Sequence, residues 1–176
     1  MYNNNKPHPH VLHSENEKVE YVKWSDSYSM GIKLIDDQHK GLLEFVNDLL
    51  NHSTGDEKQE REYFKAVIGQ ALDYVKVHFT TEEKYMRTTR FPGYYEHKKI
   101  HDAFVLTVLD HVKDFEAGKR MVLINFSNFL KDWILGHVAI TDVKYSEYFR
   151  KIATRKADGK LSINAEDIAK LMSGTA

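Results

Sequence analysis

The sequence predicts an all-α protein, an up-down-up-down antiparallel four-helix bundle with an N-terminal loop and a short C-terminal extension. Three observations carry that prediction. Apolar residues recur at three- and four-residue spacing in four separate stretches, which is the signature of one buried helix face. The breaks between those stretches are short and built from Ser, Thr, Gly and Pro. No stretch alternates polar and apolar residues as a half-buried strand would. Four amphipathic helices joined by short loops pack most simply with each antiparallel to the next.

Taken in order, residues 1–22 are polar, contain Pro7 and Pro9 and show no period, so a loosely docked tail is expected there. Residues 24–31 form an ordered loop. The first helix is expected over 35–51, with Ile35, Leu42, Leu43, Val46, Leu49 and Leu50 on its inner face; Ser53, Thr54 and Gly55 end it. The second is expected over 58–86, with Phe64, Val67, Ile68, Ala71, Val75 and Phe79 on one stripe, before Phe91-Pro92-Gly93. The third is expected over 94–116, with Phe104, Val105, Val108, Val112 and Phe115 inward and Gly118 as its C′ residue. The fourth starts near 121 and carries Phe126, Phe129, Leu130, Trp133, Ile134 and Ile140. The domain organisation read from this is a tail over 1–22, a bundle over 23–150 and an extension over 151–176, in which 163–172 has the pattern of a short helix.

Composition narrows the function classes. A net charge of −1 with mixed signs along the chain gives no field for nucleic acid or anionic lipid. No apolar run is long enough to span a bilayer, and residues 1–10 lack the apolar core of a secretory signal. The absence of cysteine excludes disulfides, iron–sulfur ligation and a thiol nucleophile, and a cytoplasmic location is expected. No exposed apolar stripe is expected, so the chain is read as a monomer. The anomaly is ten histidines in 176 residues. His8, His10 and His13 belong to the polar tail, and His52 and His111 read as ordinary.

The remaining five fall on the apolar stripes. His39 lies between Ile35 and Leu42 on the first helix. His78 and Glu82 are four apart on the second, about 40° apart around the axis. His97 and His101 repeat that spacing on the third. His137 lies on the fourth, and Asp142 follows it by five residues. A regular helix sets those two about 140° apart, so Asp142 needs a bend, a register change or an oblique approach to join the others.

One histidine on an apolar stripe is more often a core residue hydrogen-bonded to a neighbour than a ligand. Five imidazoles and two carboxylates turned into one core are different, because unpaired buried charges cost several kcal/mol and demand a partner or a metal. Every helix contributes, which is how bundles build metal sites. Imidazole suits iron, copper, zinc or nickel, whereas magnesium and calcium favour oxygen. Seven protein ligands exceed what one ion accepts, so two ions are expected. Two carboxylates can bridge them, and five imidazoles divide three and two, which leaves one ion with an open position for a small ligand.

His39, His78-Phe-Thr-Thr-Glu82, His97-Lys-Lys-Ile-His101, Trp133-Ile-Leu-Gly-His137 and Asp142 resemble the complete ligand pattern of the hemerythrin family. Trp24-Ser-Asp26, Gly31-Ile32 and Asp36-Asp-Gln-His39 resemble the opening segment of its bacterial members. The resemblance covers about 22–150. It implies two iron ions, ferrous or ferric, with a bridging oxo or hydroxo group. It implies His97, His101 and His137 on the filled iron, His39 and His78 on the open one, and Glu82 and Asp142 across the pair. It also implies that Asp142 reaches the site.

By the same resemblance the chain binds dioxygen reversibly, for storage, delivery or sensing, and has no catalytic residues of its own. Leu42, Phe79, Phe104, Trp133, Ile134 and Val138 sit beside ligands or one turn away, where dry walls would slow loss of the bound oxygen. Each is equally well plain core. Ile134 stands where the family usually carries leucine, and its β-branch makes the wall stiffer there. Two other classes use the same ligands: an enzyme acting on peroxide, nitric oxide or nitrite, and a sensory module that signals to a separate protein partner through residues 1–22 or 151–176.

Overall fold

The structure, a computed structural model, describes residues 18–157. A 3-10 turn (Asp26–Tyr28) leads into α1 (Lys33–His52), α2 (Glu57–Thr88), α3 (Tyr94–Glu116) and α4 (Val122–Gly136), and a π-helical turn (His137–Asp142) joins α4 to α5 (Val143–Ala157). α4, the π turn and α5 run on without a loop, so the bundle has four helical rods, and no strand occurs among the described residues. α1 packs on α2 and α4, and α3 packs on α2 and α4, which closes the square. The expected helix over 163–172 lies outside the described residues.

Local chemistry sets the ends. Asp56 caps α2 by accepting from the N–H groups of Lys58 and Gln59, and Glu60 reaches back to the N–H of Gly55. Gly118 is the C′ residue of α3 as expected, at φ +73°: its N–H donates to Phe115 O and that of Lys119 to Asp114 O, the two bonds of a Schellman end. α2 ends in the same way with Arg90, at φ 56°, where a side chain makes the left-handed conformation costly. The Tyr148 hydroxyl, donating to the carbonyls of Thr89 and Arg90, holds that turn against α5.

Before α1, the Asp36 carboxylate accepts from the Met30 N–H and the Ser29 hydroxyl, while Ser146 and Arg150 of α5 donate to the carbonyls of Met30 and Ser29. Further back, Asn47 and Asn51 each exchange two hydrogen bonds with the backbone of Val22 and Val19, so the chain is docked on α1 from residue 19 onward.

The core has two apolar layers. The larger joins Leu42, Leu43, Val46 and Leu49 of α1 to Phe64 and Phe79 of α2, Phe104 and Val108 of α3, and Phe126, Leu130, Ile134 and Val138. The smaller joins Met30, Ile32 and Ile35 to Tyr85, Met86, Tyr145 and Phe149. All six apolar positions expected on α1 are buried.

Three sequence expectations are corrected. Ile140 is 65% exposed, because the π turn inserts one residue into the rod and rotates that position outward. Val105 is exposed as well. Together with Leu106 and Leu109 it gives α3 an exposed apolar face that the sequence reading did not anticipate: α3 carries apolar residues on both sides, and periodicity does not say which side meets the core.

Candidate metal centre

Between the two apolar layers lies a polar one. Moving along α1, Ile35 belongs to the small cluster, His39 follows one turn later, and Leu42 belongs to the large cluster. On α2, Glu82 falls between Phe79 and Tyr85; on the fourth rod, Asp142 falls between Val138 and Tyr145. His39, His78, Glu82, His97, His101, His137 and Asp142 are each at most 3% exposed, and all seven meet in this layer. The obstacle of five-residue spacing is removed by the π turn, which starts at His137 and ends at Asp142. Its i→i+5 pattern brings five residues round to nearly one face, where an α-helix needs between three and four.

The donor atoms converge. Nε2 of His101 lies 3.1 Å from Nε2 of His97 and 3.1 Å from Nε2 of His137. Two nitrogens about 2.1 Å from one ion and at right angles would be about 3 Å apart, so this spacing suits a shared ion. Each carboxylate faces two ways. Asp142 Oδ2 lies 3.3 Å from His39 Nε2, and Oδ1 lies 3.3 Å from His97 Nε2 and 3.1 Å from His137 Nε2. Glu82 Oε1 lies 3.6 Å from His39 Nε2, and Oε2 lies 3.2 Å from His101 Nε2, 3.6 Å from His97 Nε2 and 3.8 Å from His78 Nε2. Two groups could therefore hold metal: Glu82, His97, His101 and His137, and His39, His78 and Glu82.

A metal pair fits this donor set on a second ground. Both nitrogens of His39, both oxygens of Glu82 and of Asp142, and Nδ1 of His137 are buried without a hydrogen-bond partner among the described residues; the close contacts between them lack hydrogen-bond alignment. Buried unsatisfied groups cost about 1–3 kcal/mol each, and cations supply the missing partner.

Without an ion, the electrostatics are uneven. Burial pulls the His39 imidazole down, but the close carboxylates of Asp142 and Glu82 outweigh it and raise its pKa to about 9. His78 is held down at about 4 by burial, which the Glu82 charge offsets only in part. His97 is raised because the carboxylates outweigh its burial. Burial pushes Glu82 and Asp142 upward, yet the surrounding imidazoles win and hold both below the usual carboxylate range. Both acids are thus ionised at neutral pH, and the layer calls for positive charge.

The six expected wall residues divide. Leu42, Phe79, Phe104, Ile134 and Val138 are buried; Trp133 is half-buried. Phe79 stacks on His101 with centroids 3.7 Å apart, and Trp133 stacks on His137 at 4.2 Å, so both rings brace imidazoles of the polar layer. Leu42, Phe104 and Ile134 line a cavity of about 310 Å³, together with Gly41, Glu44, Gln70 and Tyr74. Phe79, Trp133 and Val138 do not line it.

Two polar contacts to imidazoles of this layer were not expected from the sequence. Gln38 Oε1 lies 3.2 Å from His78 Nδ1, and Glu83 Oε1 lies 3.3 Å from His101 Nδ1. The available signal was position, since Gln38 directly precedes His39 and Glu83 directly follows Glu82.

Known proteins match this arrangement. The family profile described as Hemerythrin HHE cation binding domain matches residues 30–150. A bacteriohemerythrin of Pseudomonas aeruginosa is 31% identical over 130 residues, 74% of this chain and 82% of that protein. That of Methylococcus capsulatus is 31% identical over 118 residues, 67% and 88% of the two chains. A myohemerythrin of Theromyzon tessulatum is 27% identical over 129 residues, 73% and 94%. The crystal structure of a wild-type hemerythrin superposes with a TM-score of 0.62 at 29% identity, covering 72% of this chain and 96% of that one. With the profile matching well over half of the chain, the chain belongs to the hemerythrin HHE cation-binding domain family.

Proposed function

We propose that the chain binds dioxygen reversibly at a non-haem di-iron centre. In this reading His97, His101 and His137 hold one iron, His39 and His78 hold the other, and Glu82 and Asp142 span both. The observation that carries it is the two-way facing of the carboxylates: each presents one oxygen to His39 and the other to the imidazoles of α3, joined at Asp142 by His137. Five imidazoles shared unequally leave the His39–His78 iron with a free position. When bound, the iron pair supplies two electrons to dioxygen and takes them back on release.

The protein's own part is to keep that exchange clean. Apolar layers on both sides exclude water from the ligand plane. Phe79 and Trp133 fix the planes of His101 and His137 by stacking. Leu42, Phe104 and Ile134 face the cavity with hydrocarbon, each three residues from one of the imidazoles His39, His101 and His137. Imidazole-rich ligation donates less charge than a carboxylate-rich site, which favours release of oxygen over cleavage of its bond.

The test is the visible spectrum of dithionite-reduced protein before and after admitting air, with iron counted on the same sample. A charge-transfer band that appears in air and vanishes under argon, at two irons per chain, supports oxygen binding. Direct passage to a plain ferric spectrum would instead support an enzyme on the same site, to be assayed with peroxide, nitric oxide and nitrite. Absence of iron would defeat the reading.

A further inference from the structure

Among the five imidazoles, two have side-chain partners on the nitrogen that faces away from the carboxylates, and the partners come from neighbouring helices. Gln38 on α1 meets His78 on α2, and Glu83 on α2 meets His101 on α3. Each partner is the chain neighbour of a different ligand, so α1 braces a ligand of α2, and α2 braces a ligand of α3. His39 and His137 have no such partner on Nδ1 among the described residues.

The direction of the first contact is fixed by a chain of donors. The Thr81 hydroxyl donates to the carbonyl of Val77 at 2.8 Å, so its oxygen is free to accept from Gln38 Nε2 at 3.4 Å. That orientation turns Gln38 Oε1 to His78 Nδ1, and an amide oxygen only accepts. His78 must then carry its proton on Nδ1, leaving the Nε2 lone pair directed at Glu82. The Gln38 backbone is itself held, since the Tyr74 hydroxyl donates to its carbonyl at 2.9 Å. At His101 the acceptor is a carboxylate, with Lys98 Nζ 3.9 Å away on its solvent side. The two acceptors differ in charge. A carboxylate draws the imidazole proton harder than an amide does and makes the ring a stronger donor through Nε2.

We propose that Gln38 and Glu83 are positioning residues: they hold His78 and His101 with the proton on Nδ1 and the Nε2 lone pair on the metal side, and the Glu83 carboxylate makes the His101 half of the centre the more electron-donating one. The second half of this statement rests on the di-iron reading above; the first does not.

Two measurements on the full-length chain test it. Long-range nitrogen–proton NMR of the metal-free protein reads the His78 tautomer, expected with the proton on Nδ1 and mixed in Gln38→Ala; a proton on Nε2 in the unsubstituted chain overturns the orienting role. Ferrous iron release to a chelator reads affinity, expected to fall 10- to 100-fold in Gln38→Ala and Glu83→Ala. Glu83→Gln keeps the acceptor and loses the charge. It should restore affinity while disfavouring the ferric state about tenfold, a rise of about 59 mV per one-electron step, and Gln38→Glu should move the potential the opposite way. Unchanged affinity in both alanine variants, or equal potentials in the unsubstituted chain, Glu83→Gln and Gln38→Glu, overturns the proposal. Should an alanine variant fail to fold by circular dichroism, the two isosteric variants decide by their potentials. If the unsubstituted chain takes up no iron, the di-iron reading falls and the tautomer alone decides the orienting role.

Discussion

Deleting Ile140 is expected to leave the metal centre intact, although the residue lies between two of the proposed ligands. The π turn is one residue longer than the α turn that would occupy its place. In a regular α-helix five residues turn about 500°, so His137 and Asp142 would be about 140° apart, whereas four residues turn about 400° and bring them within about 40°. At a side-chain radius of about 5 Å, the 100° difference moves a carboxylate by about 8 Å. Asp142 has no such latitude, since its oxygens lie 3.1–3.3 Å from three imidazole nitrogens. Without Ile140 the rod can close as continuous α-helix with the two ligands four apart. Tyr145, Ser146 and Phe149 downstream then keep their phase against the small apolar layer. No core contact is lost, since Ile140 points outward. The assay is iron per chain together with the oxygen-dependent visible band, set against an alanine inserted after Ile140, which no single turn can absorb. The deletion should keep two irons and the insertion should lose them. A deletion variant that is fully helical yet binds no iron would refute the register argument.

Three further outcomes follow from the same geometry. Ile134→Ala should speed autoxidation, because it removes part of the hydrocarbon that lines the 310 Å³ cavity, at a stability cost of about 2–5 kcal/mol; an unchanged rate of decay of the oxygenated spectrum would remove Ile134 from the oxygen path. The metal-free protein should be most stable near pH 6.5. His39, raised to about 9, stabilises the fold below 6.5 and loses that contribution as pH rises through 9, while His78, held at about 4, stays neutral in the fold and so costs stability as pH falls from 6.5 toward 4. Each arm amounts to about 3 kcal/mol, and a urea-unfolding series from pH 4 to 9 that stayed flat would contradict it. Arg90→Gly should stabilise the chain by about 0.5–1 kcal/mol, because glycine adopts the φ of 56° without penalty and gives part of the gain back as unfolded-state entropy; a lower melting temperature would mean the Arg90 side chain contributes more than its backbone costs.

What could be read from residues alone followed the physics of each element. α1 was legible in full because its apolar residues lie on one side and its ligand lies among them, so burial and period agree. α3 was legible in its ends and in its two buried histidines but not in its faces. Val105, Leu106 and Leu109 are as apolar as Val108 and Val112, and only the positions of α2 and α4 decide which of them are covered. The π turn leaves no mark in residue type: His137-Val-Ala-Ile-Thr-Asp142 would pass for ordinary helix, and its one clue was a spacing of five between residues that had to meet. Gln38 and Glu83 were hidden for the opposite reason. A polar residue at a half-buried helical position looks like surface until the neighbouring helix is placed beside it.

The arrangement of the layers explains why the candidate ligands stand out in the sequence while the side chains beside them do not. A plane of five imidazoles and two carboxylates between two apolar clusters is costly unless something satisfies it, since several of its atoms have no hydrogen-bond partner. Ligands that expensive stand out against the apolar stripes on which they sit. The same cost would give ions held there a structural task. Every rod contributes at least one donor to the plane, so metal in that plane ties α1, α2, α3 and the α4–α5 rod to one another at mid-height. Metal held in that plane would therefore reinforce bundle closure. An ion that satisfies the layer also offsets what burying it cost, and the two apolar clusters, which fold against it from either side, become more stable together than each is alone.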